Sequence, residues 1–273
     1  IKWFRLAASA GNSDAQVLLA DAIRRGLGTQ KDINEAIIWY KMAAENGNPM
    51  AFASLGQIYL EGEGVVKDIT EALEWLKRGA EADNPYSQMR LGDSYLAGQG
   101  VERSKAEAEK WYERAMTNLE HQRLLRLGNN YLFGKGVERN LVTSFKNFAE
   151  TAKGGNAEGQ FRVGDALYKG LGIPKNKRDA IQWYSKAANK GNIFAKHALA
   201  QAYFNGDGIR QDRLKALEML EEAAEEGHID SLFALGQLYL QGDFVEKNIN
   251  KSFTLFEKAA KQGDANSQYD VGL

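Results

Sequence analysis

The apolar and polar positions of this chain repeat every 36 residues from one end to the other. All five tryptophans keep this spacing, at Trp3, Trp39, Trp75, Trp111 and Trp183. Seven glycines keep it too, at Gly26, Gly62, Gly98, Gly134, Gly170, Gly206 and Gly242. No insertion or deletion interrupts the register. A fixed period of this length is typical of proteins built from stacked repeats.

Each period predicts two helices. In the period that starts at residue 48, the apolar residues Ala51, Leu55, Ile58 and Tyr59 recur three and four apart, which places them on one helical face. The segment 68–80 has the same spacing, and neither segment alternates as a strand would. The sequence therefore predicts a helix-turn-helix unit per period. Complete periods start near residues 12, 48, 84, 120, 156, 192 and 228, with partial repeats at both ends.

The predicted helix ends carry residues that stabilise helix ends. The second helix is preceded by a side chain that can cap it, at Asp32, Asp68, Ser104, Asn140, Asn176, Asp212 and Asn248. The first helix is capped in the same way by Asn12, Asn48, Asn84, Asn156, Asn192 and Asp264, and His228 takes this place in the last complete period. Glu35, Glu71 and Glu107 predict reciprocal capping boxes. The periodic glycines that begin with Gly26 are expected just past the first helix, in a left-handed conformation.

Small residues are expected to bring the two helices of a period close together. Glycine recurs at one first-helix position, at Gly56, Gly92, Gly128, Gly164, Gly236 and Gly272. Ala20 and Ala200 complete that series. The recurring tryptophan is predicted to be a buried wedge between neighbouring second helices, because such a pair cannot bury its apolar face alone.

The fourth period departs from the pattern. Leu119 and Glu120 replace the usual Gly-Asn junction, Arg123 stands where other periods have a small residue, and Asn147 replaces the tryptophan. No C-terminal glycine follows Met116, so the second helix of the third period can continue past its usual end. Two interpretations remain open: drift in a tolerant repeat, or a local change in curvature that shapes a partner site.

These residues resemble a known repeat family, the Sel-like repeat (SLR), a relative of the tetratricopeptide repeat. The resemblance covers essentially the whole chain and rests on the pattern Ala51-x-x-x-Leu55-Gly56-x-x-Tyr59-x-x-Gly62-x-Gly64-Val65-x-x-Asp68-x-x-x-Ala72-x-x-Trp75-x-x-x-x-Ala80. It implies an all-α fold, an α/α right-handed superhelical solenoid of about seven and a half repeats forming one domain over residues 1–273, with the first helices on the concave side. It also implies a bacterial origin and an adaptor role, and it implies little about chemistry.

Composition narrows the classes of partner. The net charge is −1, from 35 basic and 36 acidic residues, and no basic cluster suited to nucleic acid is visible. The absence of cysteine excludes disulfides and thiolate metal sites. No apolar run approaches the ~18 residues of a membrane span, so direct membrane insertion is not expected. The chain begins and ends inside predicted helices, so we expect a trimmed piece of a longer protein. Its location is left open between the bacterial cytoplasm, the periplasm and export, because no signal peptide is visible.

The sequence offers no catalytic or metal-binding motif. His121, His197 and His228 lie in different periods without the spacing of metal ligands, and His228 is expected to cap a helix. No phosphate-binding loop, nucleophile elbow or zinc-protease motif is present. We therefore predict no catalytic residue, no metal and no cofactor, and we do not expect an enzyme.

Three rows of first-helix residues form the candidate partner site. A polar row comprises Asp21, Gln57, Asp93, Asn129, Asp165, Gln201 and Gln237. The row four residues earlier comprises Val17, Ala53, Met89, Leu125, Phe161, His197, Phe233 and Tyr269. The row three residues later comprises Arg24, Leu60, Leu96, Leu132, Tyr168, Phe204 and Leu240. Because positions i−4, i and i+3 are neighbours on a helix, the rows share one face. Polar groups there can orient an extended peptide, and aromatic residues can supply its pockets.

The segment 158–240 is the richest in such residues. The predicted partner-binding residues are Phe161, Asp165, Tyr168, Phe194, His197, Gln201, Phe204, Phe233 and Gln237. In the alternative interpretation, the apolar rows only pack between successive first helices. The expected function is a non-catalytic scaffold or adaptor that binds a protein or peptide partner, with its oligomeric state open. The alternatives are an inhibitor or immunity-type binder of a cognate effector, a hydrolase acting on cell-wall or β-lactam substrates, and a structural subunit that stacks end to end.

Overall fold

The computed structural model describes residues 1–242, 244–262 and 267. Within those residues the chain forms 14 α-helices joined by short turns and contains no strand. Consecutive helices pack in pairs, as in an all-α solenoid, so the predicted fold class is confirmed. The predicted cap Asp264 and the row positions Tyr269 and Gly272 lie outside the described residues.

The chain divides into two compact units, Ile1–Glu120 and His121–Leu273. The first contains α1 Lys2–Ser9, α2 Ser13–Arg25, α3 Ile33–Glu45, α4 Pro49–Glu61, α5 Ile69–Glu81 and α6 Pro85–Ala97. The second contains α8 Leu141–Lys153, α9 Ala157–Lys169, α10 Lys177–Ala188, α11 Ile193–Asn205, α12 Arg213–Glu225, α13 Ile229–Gln241 and α14 Ile249–Lys261. Helix α7, Lys105–Phe133, crosses the boundary. None of the helices described is long and apolar enough to span a bilayer.

The helices start and stop at the predicted caps. The Asp32 carboxylate accepts a hydrogen bond from the backbone N–H of Glu35 at 2.9 Å, and the same contact recurs in later repeats. His228 caps α13 as expected, since its Nδ1 accepts the backbone N–H of Ser231 at 3.2 Å. Gly62, just past α4, has φ +70°, a conformation in which a side chain would be strained. The cap residues therefore fix the repeat length.

The reciprocal capping boxes predicted at Glu35, Glu71 and Glu107 are wrong. The backbone N–H of Asp68 donates to the carbonyl of Tyr59 at 3.0 Å, and the corresponding bond forms in all seven complete repeats. No N–H is therefore left for the glutamate to accept. Instead, Glu71 Oε1 accepts the indole N–H of Trp75 at 2.8 Å. The glutamate thus orients the tryptophan.

The tryptophans are not the fully buried wedges that the sequence suggested. Trp3 is 78% exposed, and the other four are half-buried. Trp75 stacks on Phe52 with ring centroids 6.1 Å apart, and the Arg78 guanidinium lies 4.7 Å from each ring. The large residue that enters the core is the next one along the chain. It is buried at Tyr40, Leu76, Phe148, Tyr184, Leu220 and Phe256.

That buried residue packs against the recurring glycine of the first helix. A Cβ atom on Gly164 would lie 2.6 Å from the Tyr184 ring, and one on Gly236 would lie 2.5 Å from the Phe256 ring. Real Cβ atoms essentially never approach so closely. The same relation holds at Gly56, Gly92 and Gly128, whereas the first and sixth repeats have alanine. A small residue at this position, glycine in five of the seven complete repeats, therefore allows the close approach of the two helices, as predicted.

Helix α7 is the continuous helix that the fourth period allowed. The glycine that ends the second helix in most other repeats is replaced here by Leu119, in the middle of α7. Met116 is 66% exposed, although the equivalent residue in the other repeats is alanine. At the preceding junction Ser87 is fully buried against Gly79. Arg123, the equivalent of Ser87, is exposed, because an arginine cannot fit such a contact. The residues at 116, 119 and 123 therefore do not fit the turn that joins successive repeats elsewhere in the chain.

Replacing Leu119 by glycine tests the continuity of α7. Glycine in a helix interior is less favourable than alanine by about 1 kcal/mol, so Leu119→Gly should unfold more easily than Leu119→Ala by that amount. Chemical denaturation of the two variants measures the difference. Gly191, which has φ +81° and open space around it, is the control, since Gly191→Ala should cost about 1–2 kcal/mol. Greater stability of Leu119→Gly than of Leu119→Ala would place a left-handed turn at this position.

Candidate functional site

An open pocket of about 270 Å³ lies in the second unit between α9, α10, α11 and α13. Six of the predicted partner-binding residues line it: Phe161, Asp165, Tyr168, Phe194, His197 and Gln201. The structure adds residues that the prediction did not include, chiefly His228, Asp230 and Tyr184. Three of the four helices, α9, α11 and α13, are the first helices of successive repeats, which lie side by side. We call this site the aromatic pocket.

Stacked rings form a large part of its surface. Phe161 and Phe194 stack with ring centroids 5.9 Å apart, and Phe161 also lies 5.9 Å from Tyr184. The His228 ring meets Phe194 edge-on at 5.2 Å. Phe194 is 52% exposed, so part of this surface is accessible. Aromatic surfaces of this kind contribute strongly to protein interfaces.

Two histidines share one serine at the edge of the aromatic pocket. Ser231 Oγ lies 2.8 Å from Nδ1 of His197 and 3.0 Å from Nδ1 of His228. Because His228 Nδ1 accepts the Ser231 backbone N–H, it carries no proton, and the Ser231 hydroxyl shares the same lone pair as a second donor. His197 Nδ1–H then donates to Ser231 Oγ, and Gln201 donates to His197 Nε2 at 2.9 Å. This assignment satisfies the network with both rings neutral.

The surroundings of the two rings favour that neutral state. Burial lowers the pKa of His197 to about 4, the neighbouring His228 lowers it as well, and Asp230 opposes both effects. Burial also lowers the pKa of His228, again opposed by Asp230. Desolvation dominates because an imidazolium loses more hydration than a neutral ring.

The serine between the histidines is not arranged as a nucleophile. Nucleophilic catalysis needs a hydroxyl that a substrate can reach and a base that is free to take its proton. Ser231 is completely buried, at 0% exposure, and its own backbone N–H occupies the nitrogen of His228 that its hydroxyl contacts. In the described part of the chain, no three His, Asp or Glu side chains converge as a metal site would require.

Two polar residues of the aromatic pocket have partners within the protein. Lys169 Nζ lies 2.7 Å from the Asp165 carboxylate, which also faces the Tyr184 hydroxyl. The pKa of Tyr184 is raised, mainly by burial and in addition by the negative charge of Asp165. The Tyr168 hydroxyl donates to Asp207 at 2.5 Å. By contrast, Asp230 is exposed and has no ion pair among the residues that the structure describes. Gln201 and Asp230 are therefore the polar groups most available to a partner.

The polar row follows a rule that the prediction missed. Aspartate occurs in this row where the buried residue 19 positions later is tyrosine, and the Tyr40 and Tyr112 hydroxyls donate to Asp21 and Asp93 at 2.5 and 2.8 Å. Where that residue is leucine or phenylalanine, the row has an amide, at Gln57, Asn129, Gln201 and Gln237. The pairing is visible in the sequence at a constant spacing. It shows that the aspartates serve the fold.

Three predicted partner residues lie outside the aromatic pocket. Phe204 meets Phe244 edge-on at 6.4 Å with Arg213 over its ring, and Phe233 packs on Phe256 at 5.5 Å. Gln237 is exposed and does not line the pocket. The pocket depends on side chains from several helices, whereas the prediction used first-helix positions and one neighbouring phenylalanine.

The Sel1 repeat profile matches residues 1–12, 13–48, 50–84, 85–116, 124–156, 157–192, 193–228 and 229–264. The chain belongs to the Sel1 repeat family. The residues left unmatched between the third and fourth complete repeats, 117–123, are the middle of α7. The Sel1 profile thus fails where the structure replaces a turn by continuous helix.

Two bacterial structures resemble the protein over most of its length. One is c5321 of uropathogenic Escherichia coli, a protective antigen with an SLR fold, at 34% identity and TM-score 0.52 over 99% of this chain. This chain spans 58% of the length of that protein. The other is a Sel1 repeat protein from Oxalobacter formigenes, at 28% identity and TM-score 0.51, over 89% of this chain and 96% of the other. No curated protein shows significant similarity to the chain.

The neutral His197 predicts a specific dependence of stability on pH. Its folded pKa lies below the ordinary value of 6.5, so the unfolded chain binds the proton more tightly. The contribution of neutral His197 to the free energy of unfolding is fully present above pH 6.5 and is lost as the pH falls toward 4. The expected loss between pH 7 and pH 4 is on the order of 3 kcal/mol.

Urea denaturation at both pH values compares wild type with His197→Gln, which cannot titrate. The variant should lose less stability on acidification by about that amount. His228→Asn, which restores the cap of the other repeats, should also lose less stability on acidification, because the pKa of His228 is itself lowered and His228 contributes to the lowered pKa of His197. An equal acid loss in wild type and His197→Gln would contradict the burial of a neutral ring.

Proposed function

We propose that this protein is a non-catalytic scaffold that binds an extended peptide segment of a protein partner in the aromatic pocket. The observation that carries the proposal is the half-exposed Phe194, which stacks on Phe161 beside Gln201 and Asp230. Accessible aromatic area supplies affinity, and a few polar groups orient the ligand. The general role of Sel1 repeats as scaffolds for protein interactions supports the same conclusion.

The polar groups suit a peptide backbone. Gln201 uses its Nε2 on His197, and its Oε1 accepts no hydrogen bond from the residues that the structure describes. The carbonyl is therefore available to a backbone N–H of the partner. The exposed Asp230 carboxylate is available to a second donor. An extended segment presents such donors at alternate positions and its side chains between them.

The rigidity of the aromatic pocket favours binding. His197 is held from both sides of its ring, by Ser231 and by Gln201. Phe161 is held by Tyr184 and Phe194, and the Arg162 guanidinium lies 5.6 Å from its ring. Side chains that are already ordered lose little entropy when a partner arrives.

A peptide selected from a random displayed library on the wild-type protein tests the proposal. Phe194→Ala should weaken its binding by about 2 kcal/mol or more, roughly thirtyfold, because a central aromatic contact is lost. Isothermal calorimetry measures the affinity. Phe253→Ala is the matched control, since Phe253 is also 52% exposed and lies on α14 outside the aromatic pocket.

Unchanged affinity in Phe194→Ala, or an equal loss in Phe253→Ala, would exclude the aromatic pocket as the binding site. Circular dichroism of both variants establishes that the helices remain folded. The substitution is expected to preserve the fold because Phe194 is half-exposed.

A further inference from the structure

The second repeat shows how a tryptophan fills the space beside α3, α4 and α5. Trp75 stacks on Phe52, the Arg78 guanidinium covers both rings, and the indole N–H donates to Glu71 at 2.8 Å. Trp39, Trp111 and Trp183 occupy the same place in their own repeats. An indole therefore occupies this position in four of the seven complete repeats.

The last complete repeat lacks those aromatic rings. Five periods after Phe52 and Trp75 stand Leu232 and Leu255, and five periods after Arg78 stands Lys258. An open pocket of about 230 Å³ lies there between α12, α13 and α14. Leu232 and Leu235, each 2% exposed, form its floor. We call it the leucine pocket, and it shares no lining residue with the aromatic pocket.

The sixth repeat also lacks the tryptophan, but longer side chains take up its space. Met219 replaces the indole, and Lys196 replaces Phe52. The Lys196 stem is largely buried, while its amine pairs with Glu222 and Glu226. The seventh repeat has the shorter Leu232 and Leu255 at both places. The space that an indole fills elsewhere is thus open here.

We propose that the leucine pocket binds the indole of a tryptophan presented by a protein partner. The apolar floor corresponds to Phe52 and Leu55, which belong to the buried cluster against which Trp75 packs in the second repeat. Lys258 stands where Arg78 does and can place a cation over the ring. Lys251 stands at the position of Glu71, so the acceptor for the indole N–H is instead Glu225 at the end of α12, which lines the leucine pocket, is exposed and has no ion pair among the described residues. This site is independent of the peptide site proposed above.

The partner residue is identified by the chemistry of these walls. A leucine or valine would leave much of the space empty and would not use the carboxylates of Glu221 and Glu225. Indole combines a flat apolar body with one N–H donor, the combination for which tryptophan is favoured at interfaces. The Glu221 carboxylate already bonds Tyr239 and Lys251, which fixes one wall.

Methyl-labelled protein titrated with N-acetyl-tryptophanamide tests the proposal directly. The methyl resonances of Leu232, Leu235 and Leu255 should shift in a saturable way, and N-acetyl-alaninamide should leave them unchanged. Leu255→Trp restores the indole of the other repeats, so it should abolish these shifts and raise the thermal unfolding midpoint. Thr254→Trp is the matched control, because Thr254 is the exposed neighbour on the same helix. It should retain the shifts and the wild-type midpoint.

The proposal fails if wild type shows no saturable shift at these three leucines, or if Leu255→Trp binds the probe as wild type does. If Leu255→Trp does not fold, the wild-type titration still decides, with Leu232→Phe as a second variant that restores the ring on which Trp75 stacks in the second repeat. Tighter binding of the probe by Leu232→Phe, read from the methyl groups of Leu235 and Leu255, supports the site, and unchanged or lost binding overturns it.

Discussion

The contact on which the structure depends is the one between a small residue of the first helix, glycine in five of the seven complete repeats, and a large side chain of the second. In the seventh repeat Gly236 packs on the ring of Phe256, and in the fifth Gly164 packs on Tyr184, at distances that leave no room for a Cβ atom. This contact sets the separation of the two helices in a repeat. Because every repeat is stabilised by its neighbours, the same separation must recur along each unit. The strict period of the sequence follows from that requirement.

The polar chemistry of the surface follows from the same contact. A tyrosine at the buried position brings a hydroxyl that needs an acceptor, and the first helix supplies an aspartate next to its close-packed residue. A leucine or phenylalanine makes no such demand, so an amide such as Gln201 remains available to a partner. Both proposed sites occur where one repeat departs from the others. The aromatic pocket includes His228 in place of an asparagine cap, and the leucine pocket lies where Leu255 replaces tryptophan.

Much of the fold could be predicted from the sequence because caps, turns and close contacts are local and repeat. Even the continuous α7 was foreshadowed by the missing glycine near Leu119. The predicted capping boxes were wrong because two acceptors compete for one backbone N–H. Glu71 could not cap Asp68, because a carbonyl of the preceding helix already takes that N–H. The aromatic pocket was only partly predictable, because it depends on how side chains from four helices meet. The pairing of Tyr184 with Asp165 was available in the sequence as a constant spacing.

The most direct test of the central contact is the free energy of unfolding of Gly236→Ala, measured by urea denaturation. In an ordinary helix interior this change stabilises by about 1 kcal/mol, because alanine has the higher helix propensity. Here the added methyl group would meet the Phe256 ring, so we expect a destabilisation of roughly 1–3 kcal/mol, as in other overpacked cores. A neutral or stabilising effect would show that the two helices have room to spare and that glycine does not set their separation.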